Sequence, residues 1–197
     1  MRIVRILLDV DGCIAALVEE LCAHLRDLGY RRQPEDIVHY EIRKCVTAAE
    51  ASAVSEKMRE IGFCVSLPWY YGAREFVDKL HALGEVIVVT KPNLDAPTWV
   101  YEREQWLASH VNKIVHTAHK ELVAGDVLIE DSIENAHKWL SAHPGKLVIL
   151  LDRPWNRSAG LHIGVRRALA FEEALEFVEA ALYQDEPTSP ELGDDGR

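Results

Sequence analysis

The sequence predicts an α/β protein with a doubly wound parallel sheet and a small all-helical segment inserted after the first strand. Short apolar runs alternate with helical patterns along most of the chain, and one long, purely helical interval interrupts that alternation. Strands that alternate with helices favour a parallel sheet covered by helices on both faces. The 197 residues are enough for one domain of ordinary size that carries a smaller insertion.

Six short apolar runs are the candidate strands. The first five are short apolar runs, as expected of strands buried on both faces. The last run is the least apolar of the six. The runs cover residues 3–8, 86–89, 113–115, 127–129, 147–151 and 165–169.

Helices are predicted between these strands. The segment 72–83 places its apolar residues on one face and is followed by Gly84, a residue that commonly ends helices. A segment from Asp95 to Leu107 has a capping residue and an early proline, which are typical of a helix start. Ser132 can cap a helix over 133–142, and 171–182 is the final helix.

The interval between the first two strands is far longer than one crossover helix needs. It contains helical patterns over 15–29 and 47–61, and a helix start at 34–36. Residues 184–197 are acidic and have little to bury, which predicts disorder. We therefore predict a core domain of residues 1–14 plus 71–183, a helical cap of residues 15–70 and a disordered tail of residues 184–197.

The composition limits the kinds of partner. A formal net charge of −10 and a pI of about 5.4 argue against a non-specific nucleic-acid binder but allow a small anionic substrate. The four cysteines have no metal-finger spacing and are interpreted as reduced thiols. No secretion signal or apolar run of about 18 residues is visible. We expect a cytoplasmic protein that binds neither membranes nor nucleic acid.

Two carboxylates directly follow the first strand, in the string Asp9-Val10-Asp11-Gly12. In a doubly wound sheet, ligands bind outside the carboxyl ends of the strands, so Asp9 is expected to face that crevice. One carboxylate can attack phosphorus while the other handles the proton of the leaving group. Taken alone, the string is also common in surface turns.

Three further groups occur at or near predicted strand ends. Thr90 ends the second strand, where a hydroxyl can donate to a phosphate oxygen, although a capping role is the more common one. Lys120 precedes the fourth strand, and Glu130-Asp131 ends it. Adjacent buried acids are costly unless a cation neutralises them, which indicates a hard cation such as Mg²⁺. The order of these groups along one sheet edge is the strongest evidence for a site.

The four groups resemble the motifs of the haloacid dehalogenase (HAD) superfamily over residues 3 to about 157. Within it, the sequence is similar to the 5'(3')-deoxyribonucleotidases, most specifically in the string Leu151-Asp152-Arg153-Pro154-Trp155-Asn156-Arg157. The resemblance implies a HAD-like Rossmannoid core with a cap in the first insertion position. The chain departs from those enzymes in Cys13-Ile14-Ala15-Ala16-Leu17, in Glu130 and in Ser132, positions that affect the substrate pocket rather than the nucleophile.

The resemblance implies a Mg²⁺-dependent phosphatase that acts on a small phosphate monoester, most specifically a (deoxy)nucleoside monophosphate. Asp9 is then the nucleophile that forms an aspartyl-phosphate, and Asp11 is the general acid and base. Thr90 and Lys120 contact the phosphate. Asp11 also favours a phosphatase over a dehalogenase, because halide needs no proton. The predicted metal ligands are Asp9, Asp11, Glu130 and Asp131.

Other substrate contacts are less determined by the sequence. Trp69, Tyr70 and Tyr71 lie where the predicted cap returns to the core, and can either stack on a base or pack at the junction. Lys91 and Arg153 are candidate phosphate or cap contacts. Relatives often form homodimers, so the resemblance leaves a homodimer open.

Five alternative functions agree with part of the sequence. A receiver-like phosphate-binding module is disfavoured by the paired acids on the first strand and by the insertion. A kinase is disfavoured because no Gly-rich phosphate loop is present. A phosphosugar substrate stays open, whereas a nucleic-acid 3'-phosphate is disfavoured by the acidic charge. A non-catalytic binding protein is disfavoured because all candidate catalytic residues are present.

Overall fold

The computed structural model describes residues 3–184 and contains a six-stranded, entirely parallel sheet in the order β3-β2-β1-β4-β5-β6. The predicted α/β fold with a doubly wound parallel sheet is confirmed. All six predicted strands are present, with ends displaced by at most two residues. The strands are β1 (Arg5–Leu8), β2 (Glu85–Thr90), β3 (Ile114–His116), β4 (Val127–Glu130), β5 (Leu147–Leu151) and β6 (Val165–Ala168).

Helices cover both faces of this sheet. On one face, Ile6 and Leu8 of β1 pack with apolar side chains of α4 and α7, and on the other face Leu7 packs with α6. The alternation along β1 explains why both faces are buried, since successive strand residues point to opposite sides. The helices are α1 (Leu17–Asp27), α2 (Ala48–Lys57), α3 (Phe63–Ser66), α4 (Ala73–Leu83), α5 (Trp99–Leu107), α6 (Ile133–Ala142) and α7 (Phe171–Gln184).

The segment between β1 and α4 is helical, as expected. It holds α1, α2 and α3, with 3₁₀ turns at Pro34–Asp36 and Ile42–Lys44. The helix expected to start at Pro34 is only a single turn, and the helix expected over 47–61 ends at Lys57. Helix α3 begins after this expected helix and was not predicted. Thr47 and Glu50 form a reciprocal capping box that fixes the start of α2.

The two ends of this inserted segment run side by side. The backbone N–H of Ala16 donates to the carbonyl of Pro68, and that of Tyr70 donates to the carbonyl of Ile14. The division of the chain into a core and a cap of residues 15–70 remains a prediction. Of the predicted tail, residues 185–197 lie outside the described residues, and Gln184 ends α7.

Helix α5 docks the insertion onto the sheet domain. The buried carboxylate of Glu102 accepts hydrogen bonds from the backbone N–H groups of Gly62 (2.8 Å) and Cys64 (2.9 Å), at the start of α3. An acceptor at this point satisfies N–H groups that a helix leaves unpaired. Trp99, one turn earlier on α5, packs into the same apolar cluster as Phe63 of α3.

Candidate active site

The candidate site lies where the strand order reverses. Strand β1 is central, and β2 and β4 lie on either side of it. Asp9 directly follows β1, Thr90 ends β2, and Glu130 and Asp131 stand at the end of β4. In open α/β sheets this switch point is where a crevice opens for ligands. Three strand ends thus bring together groups that are widely separated in the sequence.

The loop after β1 is folded tightly against the end of β4. The N–H groups of Ile14 and Ala15 both donate to the carbonyl of Val10, which bends the chain sharply. Gly12 has a φ of +79°, and a Cβ there would lie 2.7 Å from Asp131 Cγ. The position therefore requires glycine both for its backbone conformation and for the close approach of the two acidic segments.

Lys120 is buried between two carboxylates. Its Nζ lies 2.6 Å from Asp9 Oδ1 and 2.7 Å from Glu130 Oε2. Glu130 also accepts hydrogen bonds from the backbone N–H of Ser132 (3.0 Å) and from Asn135 Nδ2 (3.3 Å). Burial is the largest influence on Glu130 and opposes its charge. The charge and hydrogen bond of Lys120, together with the hydrogen bonds from Asp131 and Ser132, nevertheless hold the pKa of Glu130 below its usual value. These contacts make Glu130 the partner of Lys120, and its predicted role as a metal ligand stays a prediction.

The pKa values of Asp9 and Asp131 are shifted in the opposite direction, upward. Burial, followed by the charge of Glu130, raises the pKa of Asp9 to about 8 despite Lys120. The same two causes raise the pKa of Asp131 well above its usual value. Three buried carboxylates and one ammonium leave an excess of negative charge, so the site favours either protonation or a bound cation.

The chemistry of these groups fits a hard divalent cation. Ligand atoms of Asp9, Cys13 and Asp131 all lie within 4.8 Å of one another. Asp131 Oδ1 is buried and has no hydrogen-bond partner among the described residues, whereas Oδ2 accepts from Trp155 Nε1 at 3.1 Å. Burial raises the pKa of the Cys13 thiol, which keeps it protonated and a poor ligand. The two carboxylates suit Mg²⁺.

The side chain of Thr90 is buried at the end of β2. Its Oγ1 is buried and has no hydrogen-bond partner within residues 3–184. Buried hydroxyls are nearly always satisfied, so an orphan beside a cluster of acids indicates an unmet ligand contact. The expected donation to a phosphate oxygen remains a prediction.

Asp11 has a partner that the sequence reasoning missed. Arg103 Nη2 of α5 lies 2.5 Å from Asp11 Oδ1, although the two residues are 92 positions apart. The guanidinium carbon lies 5.5 Å from the ring centre of Trp99 and 5.3 Å from that of Trp106. One signal was available, because these three residues share one face of a helix at positions i, i+4 and i+7, and an arginine is unusual on an apolar face.

Of the other predicted substrate contacts, Arg153 and Trp69 contact other parts of the protein and Lys91 is exposed. Arg153 donates from Nε to the carbonyl of Gly12 (2.6 Å) and lies 4.2 Å over the ring of Tyr70, so its guanidinium supports the loop after β1. Trp69 stacks on Trp106 with ring centres 3.9 Å apart. Lys91 is exposed. Their roles toward a substrate remain predictions.

Two residues that the sequence reasoning did not single out complete the surroundings. Asn156 Nδ2 donates to the backbone carbonyls of Asp131 and Leu151, both at 2.8 Å, and so fixes the end of β4 against β5. Burial, followed by the charges of Asp131 and Asp9, raises the pKa of Tyr40 in the insertion. No local pattern marks Tyr40, which lies in an irregular segment.

Comparison with known families decides the classification. The sequence model of the 5'-nucleotidase, deoxy (pyrimidine), cytosolic type C (NT5C) proteins matches residues 2–183. The chain belongs to this family. It is 31% identical over 147 residues to the cytosolic-type 5'(3')-deoxyribonucleotidase of Homo sapiens, covering 66% of this chain and 71% of that protein. It is also 31% identical over 167 residues to a Bordetella pertussis protein assigned as a 5'(3')-deoxyribonucleotidase, covering 77% and 85%.

Solved structures agree with this family at the level of fold. A haloacid dehalogenase-like hydrolase from Burkholderia xenovorans LB400 superposes with a TM-score of 0.61 at 14% identity, over 92% of this chain and 99% of that one. A HAD family hydrolase from Deinococcus radiodurans R1 gives 0.60 at 14% identity, over 91% and 96%. The HAD-like core and the 5'-nucleotidase resemblance are therefore confirmed, and this family member is a phosphoric monoester hydrolase.

Among residues 3–184, no helix is long and apolar enough to cross a bilayer.

Proposed function

We propose that this NT5C family member hydrolyses a (deoxy)nucleoside monophosphate through an aspartyl-phosphate on Asp9, with Mg²⁺ as cofactor. The observation that carries the proposal is a pair of buried oxygens, Thr90 Oγ1 and Asp131 Oδ1, that have no hydrogen-bond partner among residues 3–184. They lie at strand ends that flank the Asp9–Lys120 ion pair. Nucleotides are the favoured substrates because the human relative carries the name of a deoxyribonucleotidase.

The first half-reaction uses Asp9 as a nucleophile. One carboxylate oxygen attacks phosphorus, the bond from phosphorus to the ester oxygen breaks, and that bond's electron pair goes to the leaving oxygen. Asp11 gives its proton to this oxygen, so that the nucleoside leaves as an alcohol. Thr90 donates a hydrogen bond to a phosphate oxygen, and Lys120 neutralises charge on the phosphoryl group and on Asp9.

The second half-reaction regenerates the enzyme. Asp11, now a carboxylate, takes a proton from water as that water attacks the phosphorus of the aspartyl-phosphate, which releases phosphate and frees Asp9. Asp9, Asp131 and the backbone carbonyl of Asp11 would hold Mg²⁺. When bound, the ion supplies positive charge that offsets repulsion between the carboxylates and the phosphate.

The test is phosphate release from a panel of 5'- and 3'-nucleoside monophosphates and sugar phosphates, with Mg²⁺ and with EDTA. Asp9→Asn should abolish release, and the exposed-site control Asp78→Asn on α4 should not. Release that is specific for nucleotides, dependent on Mg²⁺ and absent from Asp9→Asn is the expected result. Release from sugar phosphates alone would refute the nucleotide assignment, and full activity of Asp9→Asn would refute the nucleophile.

A cytoplasmic location and a homodimer belong to the same proposal. The location is supported by the human relative, which is named as the cytosolic type. Sedimentation velocity would measure the oligomeric state directly.

A further inference from the structure

Arg103 is an unusual residue for the interior of an enzyme. Its side chain is completely buried, and its carboxylate partner Asp11 is 23% exposed at the crevice. Its Nε and Nη1 are buried and have no hydrogen-bond partner among the described residues. A buried cation is retained at a cost in desolvation, which suggests a role other than packing.

The surroundings of Arg103 hold its guanidinium in one place. The indole rings of Trp99 and Trp106 lie within cation–π distance of it, at 5.5 and 5.3 Å. Trp106 is itself held by its Nε1, which donates to the carbonyl of Leu67 at 2.7 Å. Glu102, the preceding residue of α5, is hydrogen-bonded to the start of α3. The cation therefore has little freedom to move, and it presents Nη2 to Asp11.

The contact with Arg103 uses one of the two carboxylate oxygens of Asp11. Nη2 donates to Oδ1 at 2.5 Å, and no residue of the described part of the chain is hydrogen-bonded to Oδ2. When one oxygen of a carboxyl group is anchored, the orientation of the second oxygen is fixed as well. Proton transfer depends strongly on this orientation. The backbone of Asp11 is held independently by the tight loop that includes Gly12.

We propose that Arg103 is a positioning residue for phosphoryl transfer, which anchors Asp11 Oδ1 and thereby directs Asp11 Oδ2 to the leaving oxygen and then to the attacking water. The inference rests on the proposed function, because it acts through Asp11 as general acid and base. It predicts that Arg103 matters only for the steps in which Asp11 moves a proton.

Two substrates separate these steps. An alkyl ester such as a deoxynucleoside 5'-monophosphate needs a proton on its leaving oxygen, whereas p-nitrophenolate leaves as a stabilised anion. The ratio kcat/KM reports the steps up to leaving-group departure, and a burst of p-nitrophenolate reports a slow second half-reaction. Arg103→Met should lower kcat/KM for the nucleotide by about 10- to 100-fold, and for p-nitrophenyl phosphate by less than about 3-fold.

The second half-reaction gives an independent signature. Asp11 takes a proton from water in this step whichever substrate has reacted, so Arg103→Met should slow it for both. Rapid mixing of Arg103→Met with p-nitrophenyl phosphate should therefore show a burst of p-nitrophenolate equal to the enzyme concentration, followed by slow turnover. A loss of structure alone would lower the burst amplitude instead.

Three further variants serve as controls. Trp99→Phe perturbs the same helix face but keeps the cation, and should change kcat/KM by the same factor for both substrates. Arg103→Lys keeps the charge, and should show a smaller loss with the same dependence on the leaving group, which also carries the test if Arg103→Met does not fold. In an Asp11→Asn background, adding Arg103→Met should cost nothing further.

The outcomes are distinct. Equal losses of kcat/KM for both substrates, or an Arg103→Met variant faster than the wild type on nucleotides, would overturn the positioning role and leave the proposed function intact. No phosphate release by the wild type from either substrate would overturn the proposed function and the positioning role together.

Discussion

Lys120→Met removes a buried ammonium while keeping an unbranched side chain of similar length. The ammonium lies 2.6 Å from Asp9 and 2.7 Å from Glu130, which is itself fully buried. Loss of one positioned charge in a catalytic site typically costs about 10²- to 10³-fold in kcat, or about 3–4 kcal/mol. We expect a loss of this size in phosphate release.

The same change should destabilise the fold. Removing one partner of a buried ion pair typically costs about 3–5 kcal/mol, because the remaining charge is uncompensated. Glu130 keeps hydrogen bonds from Ser132 and Asn135, so we expect the lower end, about 3 kcal/mol. The double variant Lys120→Met/Glu130→Gln also removes the charge of Glu130, so that only Asp9 has lost its cation. It should recover part of the stability without recovering activity.

Urea unfolding in the presence of EDTA, monitored by tryptophan fluorescence, measures the free energies of unfolding. Lys138→Met is the matched control, because this lysine is exposed on α6 and pairs only with the exposed Glu134 within the described residues. Its free energy of unfolding should change by less than about 0.5 kcal/mol. If Lys120→Met unfolds at the wild-type urea concentration, or if the double variant is no more stable than the single one, the argument from the buried charge is wrong.

Three further changes have defined outcomes. Gly12→Ala should abolish phosphate release and lower the free energy of unfolding by about 2 kcal/mol or more, since its Cβ would overlap Asp131. Gly29→Ala is the control, because Gly29 has a φ of +89° but an added Cβ there would contact none of the described residues beyond its chain neighbours, so it should cost only the backbone strain and keep activity. Glu102→Gln should speed hydrogen exchange of the N–H groups that begin α3, and unchanged protection there would contradict its docking role. Glu50→Gln should lower the Tm above pH 5, because the hydrogen bond from Arg32 lowers the pKa of the Glu50 carboxyl to about 2. The difference in Tm between the variant and the wild type should shrink as the pH falls from about 5 toward 2. A difference that stays constant with pH would refute the ion pair as its cause.

Sequence reasoning worked where local pattern and strand position carry the information. The apolar runs of β1, β2 and β4 are followed by Asp9, Thr90 and the pair Glu130-Asp131. Parallel strands place their carboxyl ends at one edge of the sheet, which brings these groups together. The close agreement of predicted and observed elements follows from apolar periodicity, which reports burial directly.

Local pattern was weaker in the inserted segment. A helix was expected from Thr47, and α2 does begin directly after that residue, but Pro34 begins only a single turn. Helix α3 is four residues long, too short for a periodic signal, and it is held by the distant Glu102. Its existence depends on a tertiary contact.

The sequence by itself therefore determined the doubly wound sheet, the family and the identity of the acids, hydroxyl and lysine at its edge, because each depends on residues a few positions apart. Only the tertiary structure decided what each group contacts. It paired Asp11 with Arg103 across 92 positions, made Glu130 the partner of Lys120, and assigned the guanidinium of Arg153 to the loop after β1. Such contacts are set by how helices and loops pack over the sheet, and no periodicity in the chain encodes which buried charges meet.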